Sequence, residues 1–76
     1  MAYDSAMVGA RLRGLRAERG LSQDDVATYL GLDAATISNY ESGKTDIRYI
    51  DVWKLADLFG VGMDEMTGRL TKGGLR

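Results

Sequence analysis

Residues 20–44 read GLSQDDVATYLGLDAATISNYESGK, and this stretch decides the fold. It holds two short segments with helical apolar spacing, 23–30 and 34–41, separated by a turn at 31–33. A helix of only about two and a half turns is unstable alone, so each segment must pack on another element. Two short helices joined by a tight turn that contains glycine form the helix-turn-helix pattern.

Capping residues mark the ends of these helices. Ser22 followed by Asp25 resembles a capping box in which aspartate replaces the usual Glu or Gln. Asp33 is the N-cap candidate of the second segment. Gly20 and Gly31 stand where a C-terminal helix glycine is expected. These residues set the predicted bounds of the pair and end the helix before it.

Further helices are predicted on both sides of the pair. The segment 6–19 has apolar residues at spacings of three and four, with arginines on its solvent face. A fourth helix is predicted from about 48 to 59, with Tyr49 at the start of its apolar face and Trp53 beside that face. Met63 and Met66 indicate a last short turn. The periodicity assigns these residues to the core: Val8, Leu12, Leu15, Val26, Leu30, Ile37, Tyr40, Val52, Leu55, Ala56 and Phe59.

The predicted fold is all-α, a compact bundle of four or five short helices. We expect one domain over residues 6–67, with flexible termini at 1–5 and 71–76, because a chain of 76 residues supports a single core. The chain has no Cys and no His, so we expect no disulfide, metal site or cofactor. No apolar run approaches the roughly 20 residues of a membrane span, and we expect a cytoplasmic protein.

The charge of the chain is balanced but unevenly distributed. Ten Lys and Arg face eleven Asp and Glu, a formal net charge of −1. Four arginines lie between 11 and 19, Lys44 and Arg48 share one loop, and acidic residues crowd 51–65. A nearly neutral molecule can therefore still present a basic face to an anionic partner.

The motif extends to a family resemblance. Residues 20–27, Gly31 and 36–44, continued by Leu55-Ala56 and by 59–61, stand in the order and spacing of the Cro/repressor-type helix-turn-helix family. The chain resembles this family, also called the xenobiotic-response-element family, over roughly residues 8–66. The resemblance implies a double-stranded DNA operator as partner, a transcriptional regulator, most often a repressor, and a homodimer that binds an inverted repeat.

The resemblance also implies roles for individual residues. Gln23 begins the first helix of the motif, where its amide reaches a phosphate or supports a base-reading residue. Asn39 lies on the reading helix and can bond an adenine edge at two points. Arg16 and Glu41 match a pair that commonly forms an ion pair. The other candidates on the reading helix are Ala34, Ala35, Thr36 and Ser38. The candidates in the loop, for contact with the DNA backbone, are Ser42, Lys44 and Thr45 with Gly43.

The chain departs from the family pattern at two places. Ile47 and Arg48 stand where many relatives have Pro and Ser, so Asp46 becomes a candidate cap for the fourth helix. Asp33 puts a negative charge beside the reading helix. This charge weakens non-specific DNA binding unless the Asp33 carboxylate is engaged in capping the helix. Arg11, Arg13 and Arg19 are interpreted as a solvated face, with one of them within reach of a phosphate.

The sequence bears on two other classes of function. An enzyme is disfavoured because catalytic acids, bases and nucleophiles are scarce, and the partial glycine motifs near Gly43 and Gly60 lack required residues. A protein-interaction module on the same scaffold, such as an antitoxin or the partner of an anti-repressor, stays open, since a fold does not fix a function. Trp53, Met63 and Met66 are surface candidates that a dimer would bury.

Overall fold

Five helices make up the computed structural model, which describes residues 4–68. They are α1 (Ser5–Glu18), α2 (Gln23–Leu30), α3 (Ala34–Ser42), α4 (Tyr49–Phe59) and α5 (Met63–Thr67). No strand occurs within the described range. The all-α bundle of five short helices is thus confirmed, and the predicted bounds of α2 match without change.

The caps form as the sequence predicted. Ser22 accepts a hydrogen bond from the Asp25 amide, and the Asp25 carboxylate accepts one from the Ser22 amide, which completes the capping box. This pairing with the backbone and hydroxyl of Ser22 lowers the pKa of Asp25. Asp33 caps α3 through a 2.9 Å bond from the Thr36 amide. Gly31 ends α2 at φ 75°, a left-handed conformation that a residue with a Cβ adopts at a cost.

Helix α1 is the central support for α3. It packs directly on α3, where Gly9 meets the backbone of Tyr40 and Glu41 so closely that a Cβ on Gly9 would collide with the Tyr40 carbonyl oxygen. Glycine therefore sets the distance between α1 and α3. The buried core that joins all five helices comprises Val8, Leu12, Val26, Ala27, Leu30, Ile37, Tyr40, Ile47, Val52, Leu55, Ala56, Phe59 and Met66.

Three predictions about packing need correction. Tyr49 is not buried but 54% exposed, and Ile47, two residues earlier, is buried at that end of the core instead. Leu15 packs on the core while remaining partly exposed. Met66 is fully buried within the monomer, so it is not available for contact with a dimer partner.

The start of α4 also differs from the prediction. Asp46 does not cap this helix: the N-cap residue is Arg48, whose side chain makes no capping bond. The Arg48 guanidinium bonds Asp51 in the first turn instead, Nε to Oδ2 at 2.8 Å. A carboxylate in the first turn is favourable next to the positive end of the helix dipole, which compensates for the missing cap.

The N-terminal end of the fold begins earlier than expected. Asp4 caps α1 by accepting bonds from the amides of Ala6 and Met7. The Ser5 hydroxyl accepts a 2.8 Å bond from the Ile47 amide and so joins α1 to the loop before α4. These two residues therefore belong to the folded domain. Residues 1–3 and the tail 71–76, predicted as flexible, lie outside the described residues, and the predicted domain bounds 6–67 stay a prediction.

Candidate nucleic-acid interface

The helix-turn-helix pair α2–α3 presents the face on which most candidate residues lie. Ile37 and Tyr40 fix α3 to the core from its inner side. Ala35 and Ser38 are exposed on its outer side, while Asn39 is half-buried. The inner and outer sides of one helix are thus divided between packing and solvent. Gln23 opens α2, and the other eight candidates lie on α3 or directly after it: Ala34, Ala35, Thr36, Ser38, Asn39, Ser42, Lys44 and Thr45.

A buried ion pair locks α1, α2 and α3 together. Arg16 binds both carboxylate oxygens of Glu41, Nε to Oε2 at 2.6 Å and Nη2 to Oε1 at 3.1 Å. It also donates to the Leu21 carbonyl at 2.9 Å. The Glu41 side chain is only 5% exposed, and its bond raises the pKa of Arg16 despite the opposing effect of burial. The ion pair that the resemblance implied is confirmed.

Gln23 joins the same cluster. Its amide nitrogen donates to Glu41 Oε1 at 3.1 Å, which leaves the amide oxygen and one N–H for other partners. Together with the two bonds from Arg16, this third hydrogen bond compensates the Glu41 carboxylate for its removal from water. Gln23 thus contacts α3 through Glu41, while its implied contact with a phosphate or a base-reading residue stays a prediction.

A polar groove of about 200 Å³ opens beside this cluster, at the junction of α1 and α3. Arg13 forms one wall, with Ser38 and Ser42 of α3 on another. Arg13 is exposed, and its guanidinium makes no hydrogen bond or ion pair within residues 4–68. The sequence predicts Arg13 on the solvated face of α1, and its position three residues before Arg16 is the signal that indicates the groove.

The loop after α3 is a tight turn held by backbone hydrogen bonds. Gly43 takes φ 77° and ends the helix. The amides of Lys44 and Thr45 both donate to the Asn39 carbonyl, at 3.0 and 3.4 Å. The side chains of Lys44 and Thr45 are exposed, and neither makes an ion pair or hydrogen bond in the described range. A cation on a fixed turn beside the reading helix suits a phosphate.

The same C-terminal turn of α3 is also held by a buried carboxylate that the sequence pattern did not indicate. Asp51 is fully buried and accepts a 2.7 Å bond from the Tyr40 hydroxyl in addition to its bonds from Arg48. Burial raises the pKa of Asp51, but the bonds from Arg48 and Tyr40 outweigh that effect and leave the pKa lowered. Burial and the same carboxylate raise the pKa of Tyr40. The network connects the reading helix to α4.

Residues 4–68 contain no cluster of three or more acidic, His or Cys side chains that could hold a metal ion. In the same part of the chain, no helix is long and apolar enough to cross a membrane.

Comparison with known proteins agrees with this geometry. The model of the helix-turn-helix family HTH_3 matches residues 12–66. The chain is 37% identical to the cryptic phage CTXphi transcriptional repressor RstR of Vibrio cholerae over 60 residues, 79% of this chain and 54% of that protein. It is 34% identical to the SPbeta prophage-derived regulator YonR of Bacillus subtilis, again over 54% of the relative. The chain therefore spans about half the length of these relatives.

Solved structures give the same result. The restriction-modification controller protein C.AhdI of Aeromonas hydrophila superposes with a TM-score of 0.74 at 33% identity, covering 83% of this chain and 91% of that one. The P22 c2 repressor, solved with a synthetic operator, shares the fold with a TM-score of 0.72 at 20% identity, covering 79% and 91%. The matched residues include α2, α3 and the Arg16–Glu41 pair, and the chain belongs to the HTH_3 helix-turn-helix family.

Proposed function

We propose that this chain is a sequence-specific DNA-binding transcriptional regulator, a repressor, that reads an operator half-site with α3 in the major groove. The observation that carries the proposal is the exposed outer side of α3, whose C-terminal turn is held by the Glu41 and Asp51 networks. A rigid helix with small polar side chains approaches base edges at low cost in ordering. The names of the relatives, a repressor and a restriction controller, support the same function.

Base contacts in this proposal come from the outer side of α3. Asn39 makes no side-chain hydrogen bond within residues 4–68, so both its amide groups are available to an adenine edge. Ser38 contacts a base or phosphate, and the methyl groups of Ala34 and Ala35 suit a thymine methyl or permit close approach. These assignments use the residues that project away from the core.

Phosphate contacts flank the base contacts. Lys44 and Thr45 lie on the turn after α3, and Gln23 keeps one N–H free at the start of α2. Ser42 lies beside this turn and donates its hydroxyl proton to the Asn39 carbonyl at 3.2 Å, a bond between neutral groups that it exchanges for the stronger one to a phosphate oxygen. Arg13 adds a positive charge in the groove that Ser38 and Ser42 line. Since Arg16 neutralises Glu41, this groove carries the charge of Arg13 and favours an anion despite the net charge of −1.

A homodimer completes the proposed mechanism. Ile50 and Trp53 on α4 are 50% and 56% exposed, and Met63 of α5 is half-buried next to Trp53. A second copy that covers this apolar face would place two reading helices about 34 Å apart on one side of the DNA. Sedimentation that shows a monomer at high concentration, both free and with DNA, would exclude the dimer.

The experiment that tests the function is selection of bound sequences from a random duplex library with the purified chain. The proposal predicts an enriched inverted repeat. Folded protein that enriches no sequence would favour the interaction module, for which the exposed face of α4 is the supporting observation. Salt dependence separates the two, because affinity for DNA falls steeply with salt in proportion to the phosphates contacted, and affinity for a protein partner depends on it far less.

A further inference from the structure

The first turn of α3 contains a hydroxyl whose single proton is already used. Thr36 Oγ1 donates to Asp33 Oδ1 at 2.7 Å, while the Thr36 amide donates to the same oxygen at 2.9 Å. A threonine hydroxyl has one proton and two lone pairs, so this hydroxyl has acceptor capacity alone to offer a ligand. A bond to a carboxylate is charge-assisted and stronger than one between neutral groups, which keeps the proton in place.

The carboxylate of the pair is likewise an acceptor. Asp33 is exposed, and its second oxygen, Oδ2, accepts no hydrogen bond from another residue within 4–68. The bonds from the Thr36 hydroxyl and amide lower the pKa of Asp33, so it carries no proton at neutral pH. The side chains of the next two residues, Ala34 and Ala35, add methyl groups and no donor. Asp33 and Thr36 therefore present two side-chain acceptor oxygens side by side, and the side chains of the two residues between them add no donor.

We propose that Asp33 and Thr36 are specificity-determining residues that select a base with an exocyclic amino group in the major groove, cytosine N4 or adenine N6. This inference rests on the proposed function. Cytosine and adenine are the bases that offer a donor in that groove, whereas guanine presents O6 and N7 and thymine presents O4, all acceptors. Phosphate oxygens also accept, so Thr36 reads a base and does not bind the backbone.

The pair rejects guanine and thymine because acceptors that face acceptors lose their hydration without gaining a bond. The negative charge strengthens this rejection and repels misplaced phosphates. Asp33 thus has two roles, as the cap of α3 and as a reader. The charge of Asp33 lowers the non-specific affinity for DNA and increases the discrimination at one base pair of each half-site.

The test compares operators selected by the full chain and by matched variants. Asp33→Asn keeps a capping oxygen and the size of the side chain but adds an NH₂ donor. The wild-type protein should favour cytosine or adenine at one position of each half-site by about tenfold, within the usual range for a base contact. Asp33→Asn should lose that preference and accept guanine or thymine there, with the remaining positions unchanged. Thr36→Val should weaken the preference and Thr36→Ser should retain it.

A base analogue without the amino group gives an independent readout. At the responsive position, the analogue should weaken binding of the wild-type chain about tenfold and leave binding of Asp33→Asn nearly unchanged. Circular dichroism confirms that each variant is folded. An operator whose every position keeps its preference in Asp33→Asn and Thr36→Val would overturn the inference while leaving the proposed function intact. A wild-type chain that selects no operator would instead remove the proposed function itself.

Discussion

Individual residues determine how rigidly the reading helix is held, and Asp51 is the instructive one. A carboxylate at this position reads as a solvent-facing residue in the first turn of a helix, and periodicity alone assigns it no partner. It is buried because Tyr40 from α3 and Arg48 from its own first turn satisfy it together. Burying an ionised group is costly unless it is paired in this way. Such a pairing depends on two elements meeting in space, which the order of residues does not reveal.

Asp51→Asn should destabilise the protein at neutral pH by roughly 1–3 kcal/mol, because the amide replaces an acceptor that faces Arg48 with a donor. The folded-state pKa of Asp51 lies below its ordinary value of 3.8, so its contribution is complete above that pH and disappears as the pH falls through the folded-state pKa. Urea unfolding of both proteins between neutral pH and pH 2 measures this. Their difference should shrink below about pH 4.

The control for this prediction is Asp24→Asn, which removes a charge from an exposed residue of α2. A difference between wild-type protein and Asp51→Asn that stays constant down to pH 2 would show that the Asp51 carboxylate does not stabilise the fold through its ionised form.

Asn39→Ala should weaken binding to the selected operator by about 1–3 kcal/mol, since it removes both amide contacts to an adenine edge. Fluorescence anisotropy with the operator and with a scrambled duplex measures the loss and its dependence on sequence. Thr28→Ala, an exposed neutral change on α2, is the matched control. Equal affinity of Asn39→Ala and wild-type protein for the operator would remove Asn39 from the base-reading set.

Lys44→Ala should weaken binding to every duplex alike and reduce the slope of log affinity against log salt by about one unit. The physical reason is the loss of one phosphate neutralised and one counterion released. Lys54→Ala removes the same charge from α4 and should leave the slope unchanged. A loss confined to one DNA sequence would assign Lys44 a base contact instead.

At the scale of elements, the helices were predictable because the residues that begin and end them act locally. The capping box at Ser22, the cap at Asp33 and the glycine after α2 all act within a few residues, and each formed as predicted. The start of α4 was not predictable in this way, because the Arg48–Asp51 bond replaces a side-chain cap. The close contact of α1 with α3 at Gly9 involves residues 31 or more positions apart, beyond the reach of any periodicity.

Two glycines within α1 give opposite predictions. Gly9→Ala should destabilise the fold by about 1–3 kcal/mol, because the added Cβ collides with the Tyr40 carbonyl and forces α1 from α3. Gly14→Ala should stabilise it by about 0.5–1 kcal/mol, since Gly14 is mid-helical and has no atom within 4 Å of an added Cβ. Thermal unfolding should lower the Tm of the first and raise that of the second. Similar Tm changes in both variants would contradict the close α1–α3 contact.

At the scale of the whole molecule, the distribution of charge matters more than its sum. The net charge of −1 argues weakly against a nucleic-acid ligand. Yet the arginines of α1 divide between structure and surface: Arg16 binds Glu41 and Arg19 donates to the Phe59 carbonyl at 2.8 Å, while Arg13 remains free to attract an anion within the described residues. The sequence predicted the fold class and the helix at α3, but which arginine is free depends on the tertiary arrangement.

The central claim, that α3 reads DNA, is tested most directly by NMR. Amide shifts of the ¹⁵N-labelled chain are followed as the selected operator duplex is added. The account predicts that the largest shift changes fall at Gln23, along α3 and in the turn through Thr45. On the outer face of α4, the changes should be small apart from those caused by dimer formation. Changes centred on Ile50 and Trp53 with none along α3 would contradict it.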